Sequence, residues 1–329
     1  MRYSFSMSKM EFSCGLPPGP AFADLAELAE TLGYARVWIF ESAPLWEDPF
    51  VHLALAAART SRIDLSTAVL IPTQRSVVAM ASAIASIARL AEGRFSACFG
   101  TGFTARKVLG QRPMPLDDLF SYVTTLRRLL AGETAIVDGR AARMMHAPGL
   151  TLPRPIDVPL WLSVLGPRGQ AGATDIADGV VGPPHPVLPT ATLASGTVLD
   201  PDEAPDSPRV REAIGPWRVV RAHSAYADGG AAAVDALPGG TAWREGLEAL
   251  APEDERHLLA FEGHVTHLLD RDRHLVEHMD TKTMVGDREH IAAHLDRLAN
   301  AGFCEVIYTP AGPDVARELT AFIAAARGT

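Results

Sequence analysis

Leu165-Gly166-Pro167-Arg168-Gly169 sets two glycines around a guanidinium, directly before a stretch that reads as a helix from about Gly169–Thr174. Free amides at a helix N-terminus, next to an arginine, make a site for a phosphate. The same five residues also suit a plain strand-to-helix turn that needs glycine for its backbone. Gly100-Thr101-Gly102 has a similar double reading. It is either a tight turn or a place where missing side chains let a flat ring approach the backbone, with Thr101 and Thr104 offering hydroxyls. Trp46, in an otherwise polar loop, can stack on a heteroaromatic ring or simply fill space. Late in the chain, His257, Glu262, His264, His267, His274 and His278 crowd one stretch, with His264/His267 and His274/His278 at helical spacing. A metal centre is the sharper reading. No H-E-x-x-H occurs, however, and Asp270-Arg271-Asp272-Arg273 lies in the same run, so a solvated, charge-laced helix accounts for it better and no metal is expected. His264 remains a candidate acid–base group near neutral pH.

These residues sit at the ends of short apolar runs that alternate with amphipathic stretches. The runs predict eight strands: Tyr3–Met7, Ala35–Phe40, Ile63–Leu70, Arg94–Phe99, Pro159–Val164, Gly179–Val181, Trp217–Tyr226 and Glu305–Thr309. Most are followed by a predicted helix, which points to an α/β protein, a closed (β/α)8 TIM barrel. An open doubly wound sheet is the runner-up, weakened because no G-x-G-x-x-G follows the first strand. Insertions are expected after strands 4, 6 and 7. The first holds a helix at Pro115–Ala131 and a hairpin at Thr134–His146 turning on Asp138-Gly139; the second is Pro183–Pro216, read as a helix plus a surface loop; the third is the helical Asp228–Asp287. The whole of 1–329 is taken as one domain. In such a barrel, chemistry belongs at the carboxyl ends of the strands. That selects Glu41–Asp48, Ile71–Arg75, Gly100–Thr104 and Leu165–Gly169.

With 329 residues, 47% hydrophobic and 21% charged, the chain is globular and long enough to need no disulfide or metal staple. A net charge of −9 argues against nucleic acid as a partner, since a phosphate-tracking surface needs a basic excess. Cys14, Cys98 and Cys304 are odd in number and share no ligand spacing, which suits a reducing compartment. No apolar run approaches the ~20 residues of a membrane span, and the first residues lack a signal-peptide core. The expectation is a cytoplasmic protein with no membrane partner.

Three segments resemble one superfamily. LSTAVLIPTQRSVVAMASAIASIARLAEGRFSACFGTGFTARKVLG is similar to the third-to-fourth strand region of the bacterial luciferase-like monooxygenases, and VPLWLSVLGPRGQAGATDIADGVV to their fifth-to-sixth. TMVGDREHIAAHLDRLANAGFCEVIYTPAGPD resembles their closing helix and strand. The superfamily includes flavin-dependent monooxygenases and deazaflavin-dependent reductases and dehydrogenases, and the resemblance leans toward the methylene-tetrahydromethanopterin-reductase branch. It implies a TIM barrel binding FMN or the deazaflavin coenzyme, acting on a small organic substrate, as a homodimer, with a separate flavin reductase if FMN is used. It places a non-prolyl cis peptide, Ala68-Val69, under the coenzyme ring, sets Gly100, Thr101 and Gly102 against ring or ribityl chain, and gives the phosphate to Ser163, Leu165, Gly166, Pro167, Arg168 and Gly169. Trp46 matches a loop aromatic lining the site. Glu41-Ser42 stands where many deazaflavin members carry Asp-His. Glu41, Trp46 and His264 are therefore the candidate catalytic residues. A non-catalytic flavin-binding accessory barrel is the alternative, favoured by the missing histidine.

Overall fold

The computed structural model describes residues 10–279 and 282–328. Eight parallel strands close into a barrel: β1 (Glu11–Leu16), β2 (Arg36–Ile39), β3 (Asp64–Thr67), β4 (Phe95–Phe99), β5 (Leu160–Ser163), β6 (Gly179–Val181), β7 (Thr190–Ala194) and β8 (Glu305–Tyr308). Each neighbours the next in sequence, and β8 returns to β1. Helices follow most strands: α1 (Phe22–Leu32), α2 (Pro49–Arg59), α3 (Val77–Leu90), α4 (Leu116–Ala131) and α5 (Pro167–Ile176). The expected α/β class and closed barrel are thus present. β2 (RVWI) and β4 (FSACF) are buried at every position, as strands covered on both faces must be. Trp38, Cys98, Trp161, Val181, Ala191 and Ile307, from six strands, form one buried cluster. Trp38 and Trp161 meet edge-on at 5.7 Å, the geometry aromatic quadrupoles favour.

A charged group is built into the same framework. Glu305, fully buried at the start of β8, accepts from Ser13 Oγ at 2.5 Å and from Trp38 Nε1 and Arg36 Nη1 at 2.8 Å each. Three donors converging on one carboxylate offset the cost of burying it.

Three expectations change. The predicted first strand, Tyr3–Met7, lies outside the described residues, and the first described barrel strand is Glu11–Leu16. Trp217–Tyr226 is helical, split between helices Pro208–Arg218 and Val220–Asp235. Its Val219-Val220 pair suggests a strand, but those valines fill a helix junction. The seventh strand is instead Thr190–Ala194, inside the segment read as a helix plus loop. Consequently no insertion follows strand six, where eight residues connect β6 to β7; the long excursion is the one after β7, from 195 to 304. The hairpin is where its turn signal placed it: Ala135–Val137 pairs antiparallel with Arg140–Ala142, with Asp138 and Gly139 both at positive φ.

The chain divides into two compact units. The first runs through Phe103 and adds Pro113–Leu193 and Leu298–Ile307; the second comprises Thr104–Arg112, Ala194–Arg297 and Tyr308–Thr329. In the second, Gly196–Val198 pairs parallel with Met284–Gly286 among the helices of the post-β7 excursion. Buried Glu318 there accepts from Thr197, Arg209 and Arg317. Among the described residues no helix is long and apolar enough to cross a membrane.

Candidate functional site

The segment after β3 is stitched to both neighbouring strands. Ala68 donates its amide to Ile39 O at 2.7 Å, Leu70 donates to Cys98 O at 2.7 Å, and Gly100 donates back to Leu70 O at 3.0 Å. The Ala68-Val69 peptide bond is cis and non-prolyl. Gly100 faces it so closely that a Cβ there would lie 2.6 Å from Val69 Cγ2. Glycine at 100 is therefore a packing requirement at the carboxyl end of β4. Thr101 is half-buried and Gly102 buried.

Glu41 leaves the end of β2 and is buried. Its Oε2 accepts the Ile71 amide at 2.7 Å, and its Oε1 takes a hydrogen bond from Arg75 Nη1. Arg75 also grips Asp48, whose side chain caps α2 by accepting from Phe50 N at 2.8 Å. The guanidinium lies 5.0 Å over the Phe50 ring, and Tyr122 Oη donates to Arg75 O at 3.1 Å. Burial pushes the Glu41 carboxyl above the usual range, while the Ile71 amide and Arg75 pull the other way. Ser42 next to it buries a hydroxyl with no hydrogen-bond partner among the described residues. Trp46 is half-buried, its ring 5.8 Å from that of Phe40.

At the end of β5, Ser163 is half-buried and Leu165, Gly166, Pro167 and Arg168 are exposed in succession. Helix α5 begins at Pro167, earlier than the sequence pattern suggests, with Gly166 as its N-cap and no capping side chain. Proline removes one donor, so the amides of Arg168 and Gly169 are left without hydrogen bonds among the described residues. A Cβ on Gly166 would meet nothing within 4 Å. Arg168 pairs with Asp117 at 2.6 and 2.8 Å, both side chains more than 70% exposed, so solvent screens the pair and it opens at a cost of about 1 kcal/mol or less. Open amides and a releasable guanidinium fit an anionic ligand at this end.

His264 belongs to the second unit, apart in the chain from Glu41 and Trp46. It is buried, with Nε2 at 3.3 Å from Thr104 Oγ1 and Nδ1 at 3.1 Å from His223 Nδ1. A bond between two Nδ1 atoms needs one protonated and one bare nitrogen, which two neutral rings provide. Burial drives the pKa of His264 down to about 4 and that of His223 well below its ordinary value, the latter also through His264 and Arg271. The expected single charge-laced helix is broken here: Gly263 and Val265 have positive φ, and only short helices, Arg256–Ala260 and Arg273–Val276, form. The histidines disperse, His274 to Gly239 O and His267 to Thr266, for example. Among the described residues no three His, Cys, Asp or Glu side chains gather to hold a metal.

Sequence reasoning gave Arg75 and Tyr122 no role. Arg75 was visible as a lone cation in the loop after strand three, but its two carboxylate partners come from a different strand end. Nothing in the sequence singled out Tyr122.

Comparison with known proteins adds the family. The luciferase-like monooxygenase model matches residues 10–305. A 5,10-methylenetetrahydromethanopterin reductase of Methanolobus tindarius is 29% identical over 168 residues, 48% of each chain. An F420-dependent glucose-6-phosphate dehydrogenase of Nakamurella multipartita is 30% identical over 196 residues, 55% of this chain and 56% of its own. The chain thus spans about half the length of the curated relatives it matches. Among solved structures, the F420-dependent tetrahydromethanopterin reductase of Methanopyrus kandleri superposes with a TM-score of 0.65 at 17% identity, over 97% of this chain and 98% of that one, a likeness of fold.

Proposed function

Since the chain belongs to the luciferase-like monooxygenase family, we propose that it is an oxidoreductase that binds a reduced flavin-type coenzyme, FMN or the deazaflavin, at the carboxyl ends of its barrel strands and acts on a small organic substrate. The observation that carries this reading is the open N-terminus of α5, where the amides of Arg168 and Gly169 and the exposed Arg168 guanidinium suit a coenzyme phosphate. Ser163, Leu165, Gly166 and Pro167 complete that end. The ring is assigned to Ala68, Val69, Gly100, Thr101 and Gly102, with Trp46 lining the substrate side. When bound, such a coenzyme supplies hydride transfer or, in the FMN case, reaction with oxygen. The chain's own residues hold and orient it: the stitched β3 end gives a fixed surface, and the α5 amides hold the anionic tail. His264 enters as a neutral partner of Thr104, since burial leaves it uncharged above about pH 4.

The F420-dependent relatives favour the deazaflavin. If FMN is used, a separate reductase supplies it. A homodimer in the cytoplasm is part of the proposal, with the exposed Val51 and Leu55 of α2 as a contact face for the second copy. Light scattering tests the dimer, and a monomer would remove it. Absorbance and fluorescence titrations with each coenzyme, oxidised and reduced, followed by a substrate panel, test the activity. A second reading, a coenzyme-binding barrel without chemistry, is favoured by the engaged carboxylate of Glu41 and by Ser42 standing beside it. Tight binding with no oxygen consumption and no substrate-dependent coenzyme oxidation would support it.

A further inference from the structure

We propose that Glu41 is a positioning residue that fixes the loop after β3, rather than a group that exchanges a proton with substrate. This rests on the coenzyme reading above and says how the ring surface is kept in place. The loop is held at both ends by one carboxylate. Glu41 Oε2 takes the amide of Ile71, the loop's first residue after the stitched Ala68–Leu70 segment, and Oε1 takes the guanidinium of Arg75, its last. Between them Pro72–Gln74 forms a single 3-10 turn, closed by Arg75 N donating to Pro72 O.

The anchoring residues are themselves anchored. Arg75 is shared with Asp48, which cannot move freely because it caps α2 through Phe50 N. Phe50 carries the guanidinium on its ring face, and Tyr122 of α4 holds the Arg75 carbonyl. One residue therefore links the end of β2, the β3 loop, the start of α2 and α4. A carboxylate suits this place because it presents two acceptor oxygens on one planar group. One meets a backbone amide and the other an arginine fork.

The same occupancy argues against a proton-transfer role. The Glu41 side chain is only 3% exposed, and both oxygens already accept hydrogen bonds. Taking a proton from substrate would neutralise the charge that holds the Arg75 guanidinium, and the enclosed side chain offers substrate little approach. Glutamine at this position keeps the shape but presents one acceptor, with an NH2 group that must face either the Ile71 amide or the guanidinium.

The test compares Glu41→Gln, Arg75→Met and the double variant with the wild-type chain. Amide hydrogen exchange, read without any coenzyme, should show protection lost across Ile71–Ser76 in each variant, with the strands of the barrel still protected. Coenzyme Kd should rise roughly tenfold in either single variant and no further in the double, since the two residues act as one unit. At saturating coenzyme, kcat should stay within about threefold of wild type. Unchanged exchange in Ile71–Ser76 would overturn the proposal. So would a hundredfold loss of kcat at unchanged Kd, which would make Glu41 catalytic. If the wild-type chain binds neither FMN nor deazaflavin, the coenzyme reading fails, while the exchange data still decide whether Glu41 anchors the loop.

Discussion

Glu305 and Arg168 are both charged, and their surroundings give them opposite tasks. Glu305 is enclosed by Ser13, Arg36 and Trp38 and has no access to solvent. Glu305→Ala removes the nearer partner of the buried Arg36 guanidinium, whose Nε has no partner among the described residues, and leaves it the longer contact to Asp64 at 3.4 Å. Breaking a buried pair in this way costs about 3–5 kcal/mol, so urea denaturation should show a loss of that order. Arg168 is exposed, and Arg168→Ala should change stability by less than about 0.5 kcal/mol. Coenzyme binding should weaken by about 1.5–3 kcal/mol, the range for hydrogen bonds to charged groups. Asp117→Ala, which frees the guanidinium, should leave affinity equal or tighter. Titration at fixed salt checks both, and unchanged affinity in Arg168→Ala would assign the tail to backbone amides and Ser163 alone.

The barrel strands were legible where apolar residues run together: VWI in β2, FSACF in β4 and LWL in β5 declare themselves as buried on both faces. β7 was not, because TATLA has small and hydroxyl-bearing side chains and follows a proline-rich loop; its neighbours supply the pairing that makes it a strand. The valines near 219 gave the opposite error, β-branched residues packed at a helix junction. Glycine spacing located the β4 and β5 ends, where a Cβ on Gly100 would crowd Val69 and one on Gly169 would crowd Val164. The Glu41–Arg75 link was not legible, because partners 34 residues apart carry no local pattern. The histidine stretch shows the same limit: its spacing suggests one helix, whereas His264 turns inward at a strained Val265 to meet His223 and Thr104. That inward turn has a pH consequence. Above pH 6.5 His264 is neutral both folded and unfolded, whereas between 6.5 and about 4 only the unfolded chain takes up its proton. Stability should therefore fall as pH drops through that window, and the slope should be reduced in His264→Gln. An equal slope in the variant, measured by denaturation at several pH values, would remove His264 as the cause.

Neither compact unit is a continuous stretch of chain. Each is assembled from three segments, and the chain passes between the units at Phe103–Thr104, Arg112–Pro113, Leu193–Ala194, Arg297–Leu298 and Ile307–Tyr308. Units interleaved in this way cannot be separated by a single cut, so calorimetry should give one cooperative transition with equal calorimetric and van't Hoff enthalpies; two resolved transitions would mean independent domains. The coenzyme site proposed at the barrel's carboxyl end is tested by comparing ligands with and without a phosphate. Purified chain is titrated with reduced FMN, reduced deazaflavin coenzyme and reduced riboflavin, which lacks the phosphate. Saturable binding at one site per chain is expected for at least one phosphorylated coenzyme. Where FMN is the ligand, riboflavin should bind at least tenfold more weakly, and Arg168→Ala should erase part of that difference. Failure to bind either phosphorylated coenzyme would contradict a phosphate site at this end, and so would riboflavin binding as tightly as FMN where FMN binds more tightly than the deazaflavin.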